Sequence, residues 1–131
     1  MIFRLIAPVA LALSAPLVAQ QLPAPHFVFF DWGKSELSGD AKAELDKVAG
    51  DFAAKGGRVV LAAYTDRSGD ARANRAISRR RGELVKAYLV GKGMSADAIR
   101  VQAYGEDRPY VATADGVREV QNRRVDIWIV D

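Results

Sequence analysis

The sequence predicts an α+β fold, a two-layer sandwich in which two main helices pack on a mixed four-stranded sheet. Two longer segments repeat apolar residues at helical spacing, and four short apolar segments have the character of strands. Their order along the chain is βαβαββ. Half of the 131 residues are hydrophobic, which is enough for a single domain of this size to bury a core of its own.

The first strand and the first helix are predicted in residues 27–56. Residues 27–30 form a short apolar run, which is typical of a buried strand. Ser38 is placed to cap a helix, and Asp40 falls in its favourable first turn. Gly56 then ends that helix. The core-facing positions of the helix recur at helical spacing: Leu45, Val48, Ala49 and Phe52.

The second strand, over residues 59–64, is apolar without interruption, and we therefore predict that it is central in the sheet. A long helix follows from about residue 71 to residue 90, and Gly91 and Gly93 end it. The remaining elements are a strand around Val101 and Ala103, a long polar loop over residues 105–121, and a last strand over residues 125–130.

The first 19 residues are predicted to be a secretory signal peptide. Arg4 is the only early charge, and residues 5–18 are almost wholly apolar. Because the cleavage site after Ala19 is imperfect and the segment is short for a membrane span, a cleaved signal and a retained anchor both stay open. Residues 20–26 form a short lead-in, and residues 27–131 form the domain.

The composition excludes several classes of function. The chain has no cysteine, which excludes disulfides and the usual lipoprotein anchor. His26 is the only histidine, so we predict no metal site, no cofactor and no histidine-based catalytic residue. The net charge of +3 is a mild excess. Because the chain is predicted to be exported and its aromatic residues do not interleave with the basic ones, we predict no nucleic-acid binding.

The protein is also predicted not to be an enzyme. Asp31 and Asp66 are the one acid pair that could be imagined to cleave a glycan. Nothing in the sequence around either residue indicates the proton-donating acid that such a reaction needs. Trp32, near the same loop, is interpreted as a packing or lid residue rather than a platform for a sugar.

The most informative stretch lies around the start of the second helix. Residues 65–69 place Asp66 on a loop that contains glycine. On the helical wheel Arg81 falls within about 40° of Ile77, so the predicted core-facing stripe includes an arginine. The other members of this predicted stripe are Ala73, Leu84 and Tyr88.

An arginine on a buried stripe requires an anion, because an unpaired buried charge is costly. The anion that Arg81 meets is either an internal acid, such as Asp66 or Asp126, or a ligand in a cleft. Asp66 itself can be read as a ligand residue or as an ordinary turn residue. Helical geometry alone does not choose between these interpretations.

Four blocks of the chain resemble the OmpA-like carboxy-terminal domain, the peptidoglycan-associated module of bacterial envelopes. Any one block is weak, but all four occur in order and at the right spacing over residues 27–130. The blocks are Phe29-Phe30-Asp31 with Leu37, Tyr64-Thr65-Asp66 with Gly69, Asn74 with Ile77-Ser78-Arg79-Arg80-Arg81, and Gly105-Glu106 with Pro109 and Asn122-Arg123-Arg124-Val125.

The resemblance implies non-catalytic binding of peptidoglycan through the free end of diaminopimelate in its peptide stem, which would help to link the envelope to the cell wall. Asp66 then accepts a hydrogen bond from the ammonium of diaminopimelate, and Arg81 donates two hydrogen bonds to the carboxylate of the same ligand. The resemblance also implies that the loop from Asp31 to Lys34 offers backbone groups. The other binding residues that it implies are Asn74, Thr65, Ile77, Trp32, Gly33, and Arg123 and Arg124, of which one lines the pocket.

The resemblance also implies a location, in the periplasm or at the outer membrane of a Gram-negative bacterium. Many family members carry a β-barrel or a lipid anchor, and neither is expected in this sequence, so the route of any membrane association stays open. The alternative function is an envelope protein-interaction module of the same fold that no longer binds peptidoglycan.

Overall fold

The computed structural model describes residues 26–131, so the predicted signal peptide and residues 20–25 of the lead-in lie outside the described residues. The predicted order βαβαββ is confirmed. No helix in this described part is long and apolar enough to cross a membrane. The elements are β1 (His26–Phe29), α1 (Gly39–Lys55), β2 (Arg58–Tyr64), α2 (Ala71–Gly91), β3 (Ile99–Gly105) and β4 (Arg124–Val130), with single 3₁₀ turns at Ala96–Ala98 and Val120–Asn122.

The four strands form one mixed sheet in the order β1-β4-β2-β3. β4 pairs antiparallel with both β1 and β2, whereas β3 pairs parallel with β2. The parallel pair follows from the crossover through α2, which returns the chain to the same end of the sheet. β2 is central, as its continuous apolar sequence predicts, and its carboxyl end lies beside the start of α2.

The core lies between the sheet and the two helices. Successive side chains of a strand point to opposite faces, so Leu61 of β2 and Ile127 of β4 face the helices. Tyr64 and Trp128 lie on the opposite face, in a second, smaller cluster. The largest fully buried aliphatic side chains of the core are Leu45, Leu61, Leu89, Ile127, Val28, Val48, Val59, Val85 and Val125.

The helix ends follow the sequence closely. Ser38 caps α1, and its side chain accepts a hydrogen bond from the backbone N–H of Ala41 at 3.0 Å. Gly56 ends α1 with φ of 70°, a conformation that favours glycine. Asp70 caps α2 in the same way as Ser38 caps α1. α2 runs through Gly91 rather than ending before it.

The predicted core-facing stripe of α2 is wrong by about 90° around the helix. Ala73 and Leu84 are exposed rather than buried. The observed stripe contains small and polar residues, because α2 approaches the sheet closely there and because Ser78 accepts from the backbone N–H of Gly105. Hydrophobicity alone does not detect such a face. The residues buried on α2 are Asn74, Ser78, Arg81, Gly82, Val85 and Leu89.

Replacing Gly82 with alanine is expected to destabilise the domain by about 1–2 kcal/mol, although alanine is the better helix former. A Cβ atom at Gly82 would lie 2.6 Å from Cγ1 of Val101 and 3.4 Å from Cβ of Ala63. Gly50→Ala is the matched control, since nothing lies within 4 Å of a Cβ atom there, and it should stabilise by about 0.5–1 kcal/mol. Denaturant titrations compare the two variants, and a Gly82→Ala protein as stable as wild type would contradict this packing.

Candidate functional site

A pocket of about 160 Å³ opens where β2 ends and α2 begins. Its walls come from the loop after β1, the loop after β2, one face of α2 and the residue before β4. Eight of the residues expected at the site line it: Trp32, Gly33, Thr65, Asp66, Asn74, Ile77, Arg81 and Arg123. The fold therefore brings together side chains that are up to 91 positions apart in the sequence.

Arg81 is a buried cation with an unused donor. Only 2% of its surface is exposed. Its Nε donates to the backbone oxygen of Lys34 at 2.9 Å, and its Nη2 donates to the backbone oxygen of Asp31 at 3.3 Å. Its Nη1 is buried and has no acceptor among the described residues. Neither internal acid considered above, Asp66 or Asp126, forms an ion pair with it.

Burial, with the nearby positive charge of Arg123, lowers the pKa of Arg81 to about 10, while Asp66 opposes the change. The guanidinium therefore stays protonated at neutral pH. It lies 5.1 Å from the centre of the Phe30 ring, a cation–π distance that compensates part of the lost hydration. The site thus fixes the positive charge of Arg81, but no anion among the described residues binds its Nη1.

Asp66 is held by four hydrogen bonds. Its Oδ1 accepts from the backbone N–H of Ser68 at 3.1 Å and from the Ser68 hydroxyl at 2.5 Å. Its Oδ2 accepts from the backbone N–H of Glu119 at 3.1 Å and from Nη1 of Arg123 at 2.7 Å. Asp66 is therefore a turn residue and a pocket residue at once, and the two interpretations of the sequence do not compete.

Burial alone would raise the pKa of Asp66, but the hydrogen bonds from Ser68, Arg123 and Glu119 outweigh it and hold the pKa below 3.8. The carboxylate is charged throughout the physiological range. A carboxyl group that donates a proton in catalysis needs the opposite shift, a raised pKa. The electrostatics of Asp66 suit the binding of a cation.

Arg123 joins the two sides of the pocket. Its Nη1 pairs with Asp66, and its Nε donates to the backbone oxygen of Phe30 at 2.9 Å. The side chains of Arg123 and Asp66 are only 11% and 4% exposed, so water screens this pair little. Arg81 adds a second cation and Asp70 a second acid, so the four charged residues that line the pocket carry no net charge, which suits a ligand with one charge of each sign.

Asn74 and Trp32 fix the loop that carries Asp66. Nδ2 of Asn74 lies 2.9 Å from the backbone oxygen of Ser68 and 2.9 Å from Oε1 of Glu106. Nε1 of Trp32 donates to the Ser68 hydroxyl at 3.0 Å, and the Arg118 guanidinium stacks 3.4 Å from the centre of the Trp32 ring. Trp32 is 49% exposed, so it forms a rim of the pocket rather than its floor.

Two of the expected site residues place no side chain in the pocket. The side chain of Asp31 is outside the pocket, and this residue contributes only its backbone oxygen to Arg81. Arg124 lies on the sheet face away from the helices, where its Nε donates to Oδ1 of Asp126 at 2.8 Å. The reason is strand alternation: Arg124 is the first residue of β4 and points away from the helix side, on which Val125 lies.

Sequence reasoning missed two contributors to the site. Ser68 and Glu119 donate to Asp66, whereas the backbone oxygen that Lys34 offers to Arg81 belongs to the loop expected to supply such groups. The Asp-x-Ser spacing was the one signal available, since it favours a turn in which the serine binds the aspartate. The backbone N–H of Glu119 leaves no mark in the sequence.

The carboxylates of the described residues form no cluster that could hold a metal ion. No group of three or more histidine, cysteine, aspartate or glutamate side chains within residues 26–131 has suitable geometry. The pocket instead combines two acids, Asp66 and Asp70, with two arginines.

Comparison with known proteins decides the family. A model of the OmpA family matches residues 29–123. The chain belongs to the OmpA family. The match includes Asp66, Arg81 and Arg123, so the pocket described above lies within the family domain.

Relatives and solved structures agree with this assignment. The peptidoglycan-associated lipoprotein of Pseudomonas putida is 38% identical over 99 residues, which cover 76% of this chain and 60% of that protein. Outer membrane protein P5 of Haemophilus influenzae is 40% identical over 93 residues, covering 70% of this chain and 26% of that protein. The crystal structure of the peptidoglycan-associated lipoprotein of Burkholderia pseudomallei has a TM-score of 0.69 at 22% identity, covering 86% of this chain and 92% of that one.

These similarities confirm the fold and the predicted location, in the periplasm or at the outer membrane of a Gram-negative envelope. The OmpA-like families to which they point are non-enzymatic structural domains. This chain spans 60% or less of the length of the two curated relatives named above.

Proposed function

We propose that this domain binds peptidoglycan without catalysis, through the free end of diaminopimelate in the peptide stem, and so helps to link the envelope to the cell wall. That end of diaminopimelate carries an ammonium and a carboxylate on one carbon atom. The pocket between β2 and α2 offers one group for each charge, an acid and an arginine.

The unused donor of Arg81 carries this proposal. A protonated guanidinium that is 2% exposed and leaves Nη1 without an acceptor is costly to hold in a free protein. A ligand carboxylate would supply the missing acceptor and the missing negative charge. Since Arg81 already uses Nε and Nη2 to hold the loop after β1, its orientation toward the pocket is set before the ligand arrives.

The ammonium of the ligand would bind at Asp66. The four acceptor positions of that carboxylate are filled in the free protein. Two of these donors are side chains: the Ser68 hydroxyl can rotate away about a single bond, whereas Arg123 is also held by the backbone oxygen of Phe30. We expect the Ser68 hydroxyl to turn when the ligand ammonium takes its place on Oδ1, while Arg123 keeps Oδ2 fixed.

The proposal is tested by cosedimentation of the purified protein with two kinds of insoluble peptidoglycan. The protein should pellet with peptidoglycan whose stems contain diaminopimelate. It should stay in solution with peptidoglycan whose stems contain lysine, because lysine has the ammonium but lacks the terminal carboxylate that Arg81 would bind. Salt at physiological strength is included to suppress nonspecific attraction.

Either of two results would refute the proposal. Equal pelleting with both polymers would show that the diaminopimelate carboxylate is not recognised. No pelleting with either polymer would favour the alternative function, an envelope protein-interaction module of the same fold.

A further inference from the structure

β1 lies at one edge of the sheet and pairs only with β4 within the described part of the chain. The backbone N–H of Phe30 donates to the oxygen of Arg123 at 2.9 Å, toward β4. Because alternate residues of a strand point their backbone groups to opposite sides, Val28 also points toward β4, whereas Phe27 and Phe29 point outward. The outward N–H and C=O groups of Phe27 and Phe29 have no partner among residues 26–131, and they form a template for another strand.

A groove of about 420 Å³ follows this outer edge of β1. One wall is the run of residues 27–31, and the other comes from the first turns of α1 and the loop before it. The groove is acidic: Asp31, Glu36 and Asp40 line it, are exposed, and form no ion pair among the described residues. Glu44, which also lines it, is bound to His26 at 2.6 Å. The acidic groove stands out on a chain whose net charge is +3.

The other side of the same edge is mainly aromatic. A second depression, of about 190 Å³, is lined by Phe27, Phe29, Tyr110, Gln121 and Arg124. Phe29 is 44% exposed and Tyr110 is 64% exposed. Their rings flank that of Phe27, with centroids 6.4 Å and 6.5 Å away from it. Large aromatic side chains that stay this exposed around one strand mark a surface suited to a partner.

We infer that the β1 edge is a docking site for an extended segment of a partner protein in which basic and apolar residues alternate. The segment adds a fifth strand beside β1, with main-chain hydrogen bonds to Phe27 and Phe29. Its side chains alternate between the faces of the sheet. The basic ones meet Glu36, Asp40 and Glu44 on the helix side, and the apolar ones meet Phe29 and Tyr110 on the other.

The charge of the groove determines the class of occupant. A second copy of this chain would bring an identical acidic edge, and like charges across a strand pair are destabilising. A peptidoglycan strand offers no regular row of backbone N–H groups for the edge. The docking site is separate from the pocket between β2 and α2 and does not depend on the function proposed for that pocket.

The test uses a blocked heptapeptide of alternating lysine and valine as the probe, with isotope-labelled protein observed by NMR. The alternating peptide should bind, and the amide protons of Phe27 and Phe29 should exchange with solvent more slowly in its presence. A peptide of the same composition with its lysines in one block should bind at least about tenfold more weakly, because its side chains cannot divide between the two faces.

Glu36→Lys should weaken binding of the alternating peptide by about tenfold. Glu83→Lys is the matched control for net charge, since Glu83 is exposed on α2 outside the groove, and it should change binding by less than about twofold. Four results of these experiments would overturn the inference, and a fifth comes from the oligomeric state. The four are no binding of the alternating peptide, equal binding of both peptides, equal effects of the two variants, and unchanged exchange at Phe27 and Phe29. A dimer of the protein paired through β1 would also overturn it.

Discussion

Arg81→Met is expected to weaken binding of diaminopimelate-containing stem peptides by about a hundredfold or more and to leave the domain folded. A charge-assisted hydrogen bond contributes about 1.5–3 kcal/mol, and a carboxylate gripped by two donors gains more than one such bond. Methionine fills a similar volume. It removes a buried cation whose Nη1 has no acceptor in the free protein, which offsets the loss of the bonds to Lys34 and Asp31.

Equilibrium titration calorimetry with a soluble stem peptide measures this loss. Arg80→Met is the matched control, because Arg80 is the exposed neighbour on the same helix and lies outside the pocket. Arg81→Lys keeps the charge but loses the planar pair of N–H donors of the guanidinium. Its affinity for the peptide should lie between those of wild type and Arg81→Met. Wild-type affinity in a folded Arg81→Met protein would show that Arg81 does not contact the ligand.

Asp66→Asn is the second change with a large expected effect, and it acts on both binding and stability. The variant loses the charge that would attract the ligand ammonium, so we expect affinity to fall by about a hundredfold. It also leaves the largely buried Arg123 without its anion, and we expect the free energy of unfolding at pH 7 to fall by about 2–4 kcal/mol.

The stability effect should depend on pH in a defined direction. The pKa of Asp66 is lowered in the folded protein, so its charged form stabilises the fold above the ordinary pKa of 3.8, and that contribution is lost as the pH falls through the lower, folded-state value. The deficit of Asp66→Asn relative to wild type should therefore be constant from pH 5 to pH 7 and shrink below pH 3.8.

Denaturant titrations from pH 7 down to pH 2.5, in the absence of peptide, measure how the free energy of unfolding depends on pH. Asp97→Asn serves as the control, because Asp97 is exposed in the short turn before β3 and should give no deficit. Binding is compared at pH 7 under conditions in which both variants are folded. A deficit that stays the same down to the lowest pH would contradict the role assigned to the Asp66 carboxylate.

The parts of the fold that depend on local signals were predictable. The cap at Ser38 and the stop at Gly56 each rest on the chemistry of one residue and its near neighbours. The central position of β2 followed from its unbroken apolar sequence, because only a strand covered on both faces can be apolar throughout.

The buried face of α2 was not predictable from hydrophobicity. The face is made by Asn74, Ser78 and Gly82 where the helix lies closest to the sheet. These residues are buried because they are small or because the fold supplies their hydrogen-bond partners. Arg81 was expected to be buried on the basis of the wrong stripe, and it is buried because it lies near the boundary shared by the predicted and the observed faces.

The choice between Arg123 and Arg124 also lay beyond the sequence. A shift of one residue in the start of a strand sends every side chain to the opposite face. Only the pairing of β4 with β1, in which Phe29 is opposite Arg124, fixes that start. Arg123 then lies before the strand and reaches Asp66, whereas Arg124 reaches Asp126.

The most direct test of the central claim observes the Arg81 guanidinium itself during a titration. The nitrogen-bound protons of arginine side chains are followed by NMR in labelled protein as a stem peptide ending in diaminopimelate is added, and again with the same peptide carrying an amide in place of the terminal carboxylate. We predict that the Arg81 signals shift with the free carboxylate and not with the amide. Shifts of equal size with both peptides, or none at Arg81 at saturating ligand, would contradict the claim that Arg81 recognises this carboxylate.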